Sequence, residues 1–312
     1  MKLNKTSIKP VVIVIIFILL ILSGCEEDDD IVIRTMHPDT NQPFQIVNAH
    51  KLYNEFIDKA SQEQQQEKIK ELYENMIIEP VYDMCFEDGE YLYMVDFILN
   101  EAPSNFKNLE KLIEDIETEN INEAIIDALN KSSKLLSTEI ETTVCVFPTV
   151  EEDVPAMVNV GSGKIIALYN EFYSEEEFKA SIAHEYHHSV WTEKFFQPED
   201  TSTVLDNLVF EGKAVVFERL VYPESSYTIP IYPSYILVFW EMIEPDLYKE
   251  DLERSLEILI GSGNLPYLYG YSEGYKMVKS YLDKNPDLKP IEWLGRSADE
   301  IIEEGEYLSN YR

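Results

Sequence analysis

Apolar residues along this chain first form an unbroken run, Val11 to Leu22. They then recur at helical spacing, condense into short β-branched runs, and finally return to helical spacing. In the second zone, Leu52, Phe56, Ile69 and Leu72 lie among Gln and Glu and predict helix from about 47 to 75, with further helices over 90–100, 105–117 and 122–136. At Thr142-Thr143-Val144-Cys145-Val146-Phe147 and Ile165-Ile166-Ala167-Leu168-Tyr169 the pattern changes to strands, with Gly161-Ser162-Gly163 as the turn before the second.

Phe178, Ile182, Tyr186 and Val190 then recur at helical spacing behind Ser174 and Glu177, which read as a capping box. A strongly apolar helix follows from about 203 to 220, capped by Ser202, carrying Leu205, Leu208, Val209, Val216, Phe217 and Leu220 and ending near Pro223. Beyond it come an aromatic, proline-rich stretch from Tyr227 to Trp240 and helices near 247–260 and 273–282.

The chemistry sits on the first of these two late helices. It carries His184-Glu185-Tyr186-His187-His188, and a helix puts His184 and His188 on one face, four residues apart, with Glu185 beside them. Two imidazoles at that spacing can hold one zinc ion, and an adjacent carboxylate can take a proton from a zinc-activated water. Zinc rather than magnesium or calcium follows from the imidazoles.

A catalytic zinc needs a third protein ligand. No histidine follows His188 and no cysteine follows Cys145, so a downstream carboxylate remains: Glu193, Glu199, Asp200, Asp206, Glu211 or Glu218. Glu193 would point away from the metal, and Glu199 and Asp200 fall in a loop after Pro198. Glu211 is the best placed, in mid-helix and followed by Gly212, where a missing side chain lets another backbone come close; Asp206 and Glu218 are the alternatives.

His184-Glu185-Tyr186-His187-His188 followed by Glu211-Gly212-Lys213-Ala214 resembles a bacterial family of predicted Zn-dependent proteases, a domain-of-unknown-function family whose signature is HEYHH followed by EGxA. Through it the chain looks like a member of the gluzincin class. The resemblance is specific over about 145–220. It implies an α+β fold, with a gluzincin-like core in which a small sheet packs on the motif helix, inside a largely helical domain. It also implies one Zn(2+) per chain held by His184, His188 and Glu211, Glu185 as general base and acid, and a sheet edge strand within about 156–169 that holds a peptide substrate. A tyrosine from the C-terminal part, Tyr269 or Tyr271, would stabilise the oxyanion. Thermolysin-like members carry an acidic residue four positions after the ligand glutamate; here that position is Val215, so support for the ligand histidine has to come from elsewhere, and Asn207 and Glu218, near the helical face of Glu211, could serve or could fill solvated or core-edge roles.

At the front, Lys2, Lys5 and Lys9 precede the apolar run, and Leu22-Ser23-Gly24-Cys25 matches a lipoprotein signal box. Twelve apolar residues are short for a spanning helix. The resemblance to bacterial lipoproteins implies a signal peptide over 1–24, cleavage before Cys25 and its diacylation, palmitate among the chains. The body is then anchored at the cell membrane and faces the extracytoplasmic side. The acidic run 26–30 and the prolines Pro38 and Pro43 read as a solvated tether over 25–45, with His37 and His50 incidental. One metallopeptidase domain follows over 46–312: a helical part (46–140), the sheet and zinc-site helices (141–222) and a helical C-terminal part (223–312).

A formal net charge of −34 argues against nucleic acid as a partner. Cys85 and Cys145 remain once Cys25 is lipidated; buried free thiols are the expectation, with a disulfide the alternative. The whole reads as a membrane-anchored zinc peptidase. Its rivals are a metal- or solute-binding lipoprotein without catalytic activity and a non-catalytic protein whose structural zinc takes His187 as fourth ligand.

Overall fold

The computed structural model describes residues 31–150, 157–170, 174–199, 201–224 and 229–312, and Ile31–Arg312 forms one compact unit. The expected signal peptide, Cys25 and Asp200 lie outside the described residues. Strands β1 (Val32–Met36) and β2 (Pro43–Val47) open the fold and lead into helices α1 (Tyr53–Ala60), α2 (Gln66–Tyr73), α3 (Tyr82–Cys85), α4 (Asp96–Asn100), α5 (Phe106–Thr118) and α6 (Ile121–Leu135). Strands β3 (Thr142–Pro148), β4 (Met157–Gly161) and β5 (Lys164–Tyr169) follow. After them come α7 (Glu175–Phe195), α8 (Val204–Val221), α9 (Leu237–Ile243), α10 (Leu252–Ile260), α11 (Tyr269–Lys284), α12 (Pro290–Leu294) and α13 (Ala298–Glu304). No helix among the described residues is long and apolar enough to cross a membrane.

The fold is α+β with one five-stranded sheet, ordered β1-β2-β3-β5-β4. The end pairs β1/β2 and β4/β5 are antiparallel, whereas β3 lies parallel to both β2 and β5. Both faces are covered. Val144 and Val146 of β3 point into one core with α6, α7, α8 and α11, while Cys145 and Phe147 point into a second core with α1, α2 and α5. A sheet packed on both sides leaves no wet face, which is why these strands read as near-continuous apolar runs rather than alternating ones.

The expected tether is corrected here. Residues 31–45 do not form a solvated linker; most of them make β1 and β2, with Phe44 opposite Thr142 of β3. Phe44, Ile46 and Val47 are fully buried, and this apolar content outweighs the two prolines, of which Pro43 sits at the first strand position, where a missing N–H is tolerated. Nor is His37 incidental. It is buried, its Nδ1 accepts from the N–H groups of Asp39 (3.0 Å) and Thr40 (2.9 Å), and its Nε2 lies 3.1 Å from the Asn130 carbonyl, so one ring closes the β1–β2 turn and ties it to α6. His50 is also buried, and desolvation, with Lys51 nearby, lowers its pKa to about 4.

The two cysteines depart from expectation as well. Cys85 at the end of α3 and Cys145 in β3 are joined in a disulfide, with Cα atoms 6.0 Å apart and both residues buried. The bond closes a loop of 60 residues that spans α4, α5 and α6. For a loop of that length the chain-entropy model gives about 4 kcal/mol of stabilisation. A Cys85→Ala variant should therefore show a lower denaturant midpoint than the parent, and reductant should shift the parent's midpoint but not the variant's; equal midpoints would contradict a structural role.

Candidate metal centre

Helix α7 is set by its ends and its stripe. Ser174 and Glu177 form the expected capping box, and Phe178, Ile182, Tyr186 and Val190 are buried against the sheet and α6. Helix α8 also begins with a capping box, but its residues are Thr203 and Asp206 rather than Ser202. That assigns Asp206 to the helix start and removes it as a metal-ligand candidate. The α7 and α8 helices then pack together and bring three side chains to one point.

His184 Nε2 lies 3.1 Å from Glu211 Oε2, His188 Nε2 lies 3.2 Å from the same oxygen, and the two Nε2 atoms are 3.1 Å apart. These atoms are the one His/Cys/Asp/Glu group among the described residues arranged to hold a metal ion. Three potential donor atoms this close, two of them imidazole nitrogens, make a site whose natural occupant is a divalent cation. Both histidines are buried, while the Glu211 side chain keeps 17% of its surface open.

The electrostatics follow from that crowding. Burial disfavours charge on His184, yet the carboxylates of Glu211 and Glu218 raise its pKa well above the usual imidazole value. Burial likewise works against the Glu211 carboxylate, but His188 and His184 overcome it and hold its pKa at about 2. Glu211 is therefore an anion at any physiological pH.

Glu218 is not part of this cluster but stands behind one of its histidines. Its Oε2 is 3.1 Å from His184 Nδ1, on the ring's far side, so the carboxylate selects the tautomer that leaves Nε2 free for a metal. It comes from the same helix as Glu211, two turns on, and takes over the support that Val215 lacks. Asn207 plays no such part, because its amide donates to Ser255 Oγ at 3.0 Å. Removing the charge in Glu218→Gln should weaken zinc binding about tenfold, at the low end of such outer contacts. Zinc titration against a competing chelator measures this, and an unchanged affinity would mean the contact is incidental.

Glu185 is partly exposed on a helix whose neighbouring residues are buried. Its Oε2 accepts from the Asn159 backbone N–H at 2.8 Å. Burial raises its pKa, with His184 and His188 pulling the other way. Asn159 belongs to β4, an edge of the sheet, so the edge strand adjoining the site is β4. The Asn159 side chain donates to Thr192 Oγ1 (3.3 Å) and accepts from Gly161 N–H (3.2 Å), which holds a bulge at that point.

The two tyrosines separate. Tyr271 lies at the cluster: its ring centre is 6.3 Å from that of His184, and burial together with the carboxylates of Glu211, Glu185 and Glu218 keeps its hydroxyl protonated. Tyr269, two residues earlier on α11, faces the opposite way, since two helical positions are about 200° apart. It packs on Phe239 at 5.7 Å beside Glu273 and Tyr311, so Tyr269 is not a site residue. His187 is buried between Phe217 and Trp293, both at 5.6 Å, which excludes it as a fourth ligand. Glu193 accepts from Thr138 Oγ1, and Glu199 is an exposed loop residue.

Sequence reasoning missed Asn159 and Phe210. The Phe210 ring stacks on His188 at 4.1 Å; its only local signal was its place directly before Glu211.

Residues 121–303 match a family model described as predicted Zn-dependent protease (DUF2268). The chain belongs to this family. The matched span includes β3 to β5 and both site helices, so every residue of the His184, His188 and Glu211 cluster falls inside it. The chain is also similar to the uncharacterized protein YjaZ of Bacillus subtilis (strain 168), with 27% identity over 154 residues, 46% of this chain and 59% of that protein. It thus spans about three-fifths of that relative's length. No solved structure matches.

Proposed function

We propose that this DUF2268 member is a zinc-dependent peptidase of gluzincin type, with His184, His188 and Glu211 holding a single ion. The convergence of the three donor atoms within 3.2 Å carries this reading. Zinc bound there supplies Lewis acidity, polarising a water and the carbonyl of the bond to be cut. Glu185 accepts the proton of the attacking water and passes it to the leaving amine, a transfer that suits a carboxylate beside, but not among, the ligands. Tyr271, kept protonated, donates a hydrogen bond to the oxyanion that develops on the carbonyl. Glu218 fixes His184, and β4 is the edge strand along which an extended peptide lies.

The body is proposed to work outside the cytoplasm, tethered to the membrane through diacylated Cys25. The basic and apolar leader with its Leu22-Ser23-Gly24-Cys25 box supports this, as does the Cys85–Cys145 disulfide, since such bonds persist in oxidising compartments. The tether is shorter than the sequence suggested, because β1 begins at Val32.

The test is to incubate the zinc-loaded full-length chain with a mixed peptide library and follow products by mass spectrometry. One zinc per chain and cleavage that a chelator stops and zinc restores are expected. Zinc binding with no cleavage of any peptide would instead favour a binding lipoprotein.

A further inference from the structure

The exposure pattern of α7 and α8 marks an opening. From Ile182 to Val190 only Glu185 is not buried, and from Leu208 to Phe217 only Phe210 and Glu211 are not. Trp191, three residues beyond His188, continues the helix face that carries the two histidines and is also half-exposed.

Aromatic rings line that opening. Phe210 lies flat on His188, with centroids 4.1 Å apart at 21°, and Trp191 meets Phe210 edge-on at 4.9 Å. Phe195 follows at 6.2 Å from Trp191, 38% exposed, with its ring resting over Gly295, where an added Cβ would come within 2.4 Å of it. A wall of half-exposed rings thus runs outward from His188. Trp191 packs partly against the core, but unlike Tyr186 and Phe217, which are completely covered, it and Phe210 keep part of their rings open. Apolar surface left open beside a few convergent polar groups is the composition of a ligand subsite.

We propose that Phe210 and Trp191 form a subsite for a bulky apolar side chain, aromatic or branched aliphatic, on the residue next to the bond that is cut. The substrate class is then peptides with such a residue at the cleavage point. This inference rests on the peptidase reading. The position follows from chain geometry: Phe210 adjoins Glu211 in sequence and His188 in space, so a side chain lying on its ring belongs to a residue at the reacting carbonyl or immediately beside it. The acidic body does not oppose this choice, since an uncharged side chain meets no electrostatic barrier.

The experiment compares zinc-loaded full-length parent, Trp191→Ala and Phe210→Leu on two peptides that differ only in Phe or Ala at the preferred position, with zinc content measured on each sample. For the parent, kcat/KM should favour the Phe peptide by roughly 10–100-fold, the range that burial of such a side chain supports. In Trp191→Ala that ratio should fall towards one, chiefly through KM, with zinc content retained. An unchanged ratio in both variants would overturn the inference, as would a parent with no apolar preference. So would loss of zinc in Phe210→Leu with the ratio preserved, because the rings would then only shield the metal. If the zinc-loaded parent cut no peptide in the library, the peptidase reading itself would fall and take this one with it.

Discussion

A Glu185→Gln variant is expected to keep its zinc and lose about 100- to 10,000-fold in kcat, the contribution that a positioned acid–base group makes. The substitution is nearly isosteric, and the amide oxygen can still accept from the Asn159 N–H that Glu185 engages at 2.8 Å. What disappears is the ability to take and return a proton. Glu185 is not among the three converging donors, so metal content should not change. Metal analysis and steady-state kinetics on one sample decide the matter. Loss of zinc along with activity would mean Glu185 is a ligand, and activity within tenfold of the parent would remove it as the base.

The second large effect is expected at a residue with no side chain. Gly212 follows Glu211, and a Cβ built there would lie 2.2 Å from the Gly274 carbonyl carbon and 2.3 Å from its oxygen. From the other helix, a Cβ on Gly274 would come within 1.9 Å of the Leu208 carbonyl oxygen. These obstacles are backbone, so they cannot rotate away; α8 and α11 would have to separate. Because α8 carries Glu211 and Glu218 and α11 carries Tyr271, any separation also opens the metal centre. Gly212→Ala should cost about 3 kcal/mol or more, the upper part of the range for overpacking. That corresponds to roughly 5 °C or more in Tm for a chain of this size. Thermal unfolding with and without zinc measures it, and zinc should restore less stability to the variant than to the parent. A Tm within 1 °C of the parent's would show that the crossing tolerates a methyl group.

The candidate metal centre was legible in the sequence because its main elements are local. His184, Glu185 and His188 are related by a helical period that four residues display, and the Ser174 cap and the apolar stripe announce the helix that carries them. Glu211 was reached by elimination, since the chain contains few other donors after His188, and by the glycine beside it, whose close contact with Gly274 the structure bears out. The two strands with strong β-branched runs, β3 and β5, were equally plain.

Other features depend on partners distant in the chain. Residues 32–47 carry prolines and follow an acidic run, so their local signal is that of a tether; they become strands because β3, some hundred residues later, supplies hydrogen bonds and a core for Phe44 and Ile46. The disulfide needed Cys85 and Cys145 to be brought within 6.0 Å by the packing of α3 on the sheet, which no spacing between cysteines reveals. Tyr269 and Tyr271 are equivalent as letters, and only the docking of α11 on α8 turned one towards His184 and the other into the core. Glu218 behind His184, Asn159 on Glu185 and Phe210 over His188 are likewise contacts between elements. Periodicity along the chain determined which helix bears the chemistry; the approach of separate helices and one strand edge decided what surrounds it, because those distances are set by packing rather than by any repeat in the sequence.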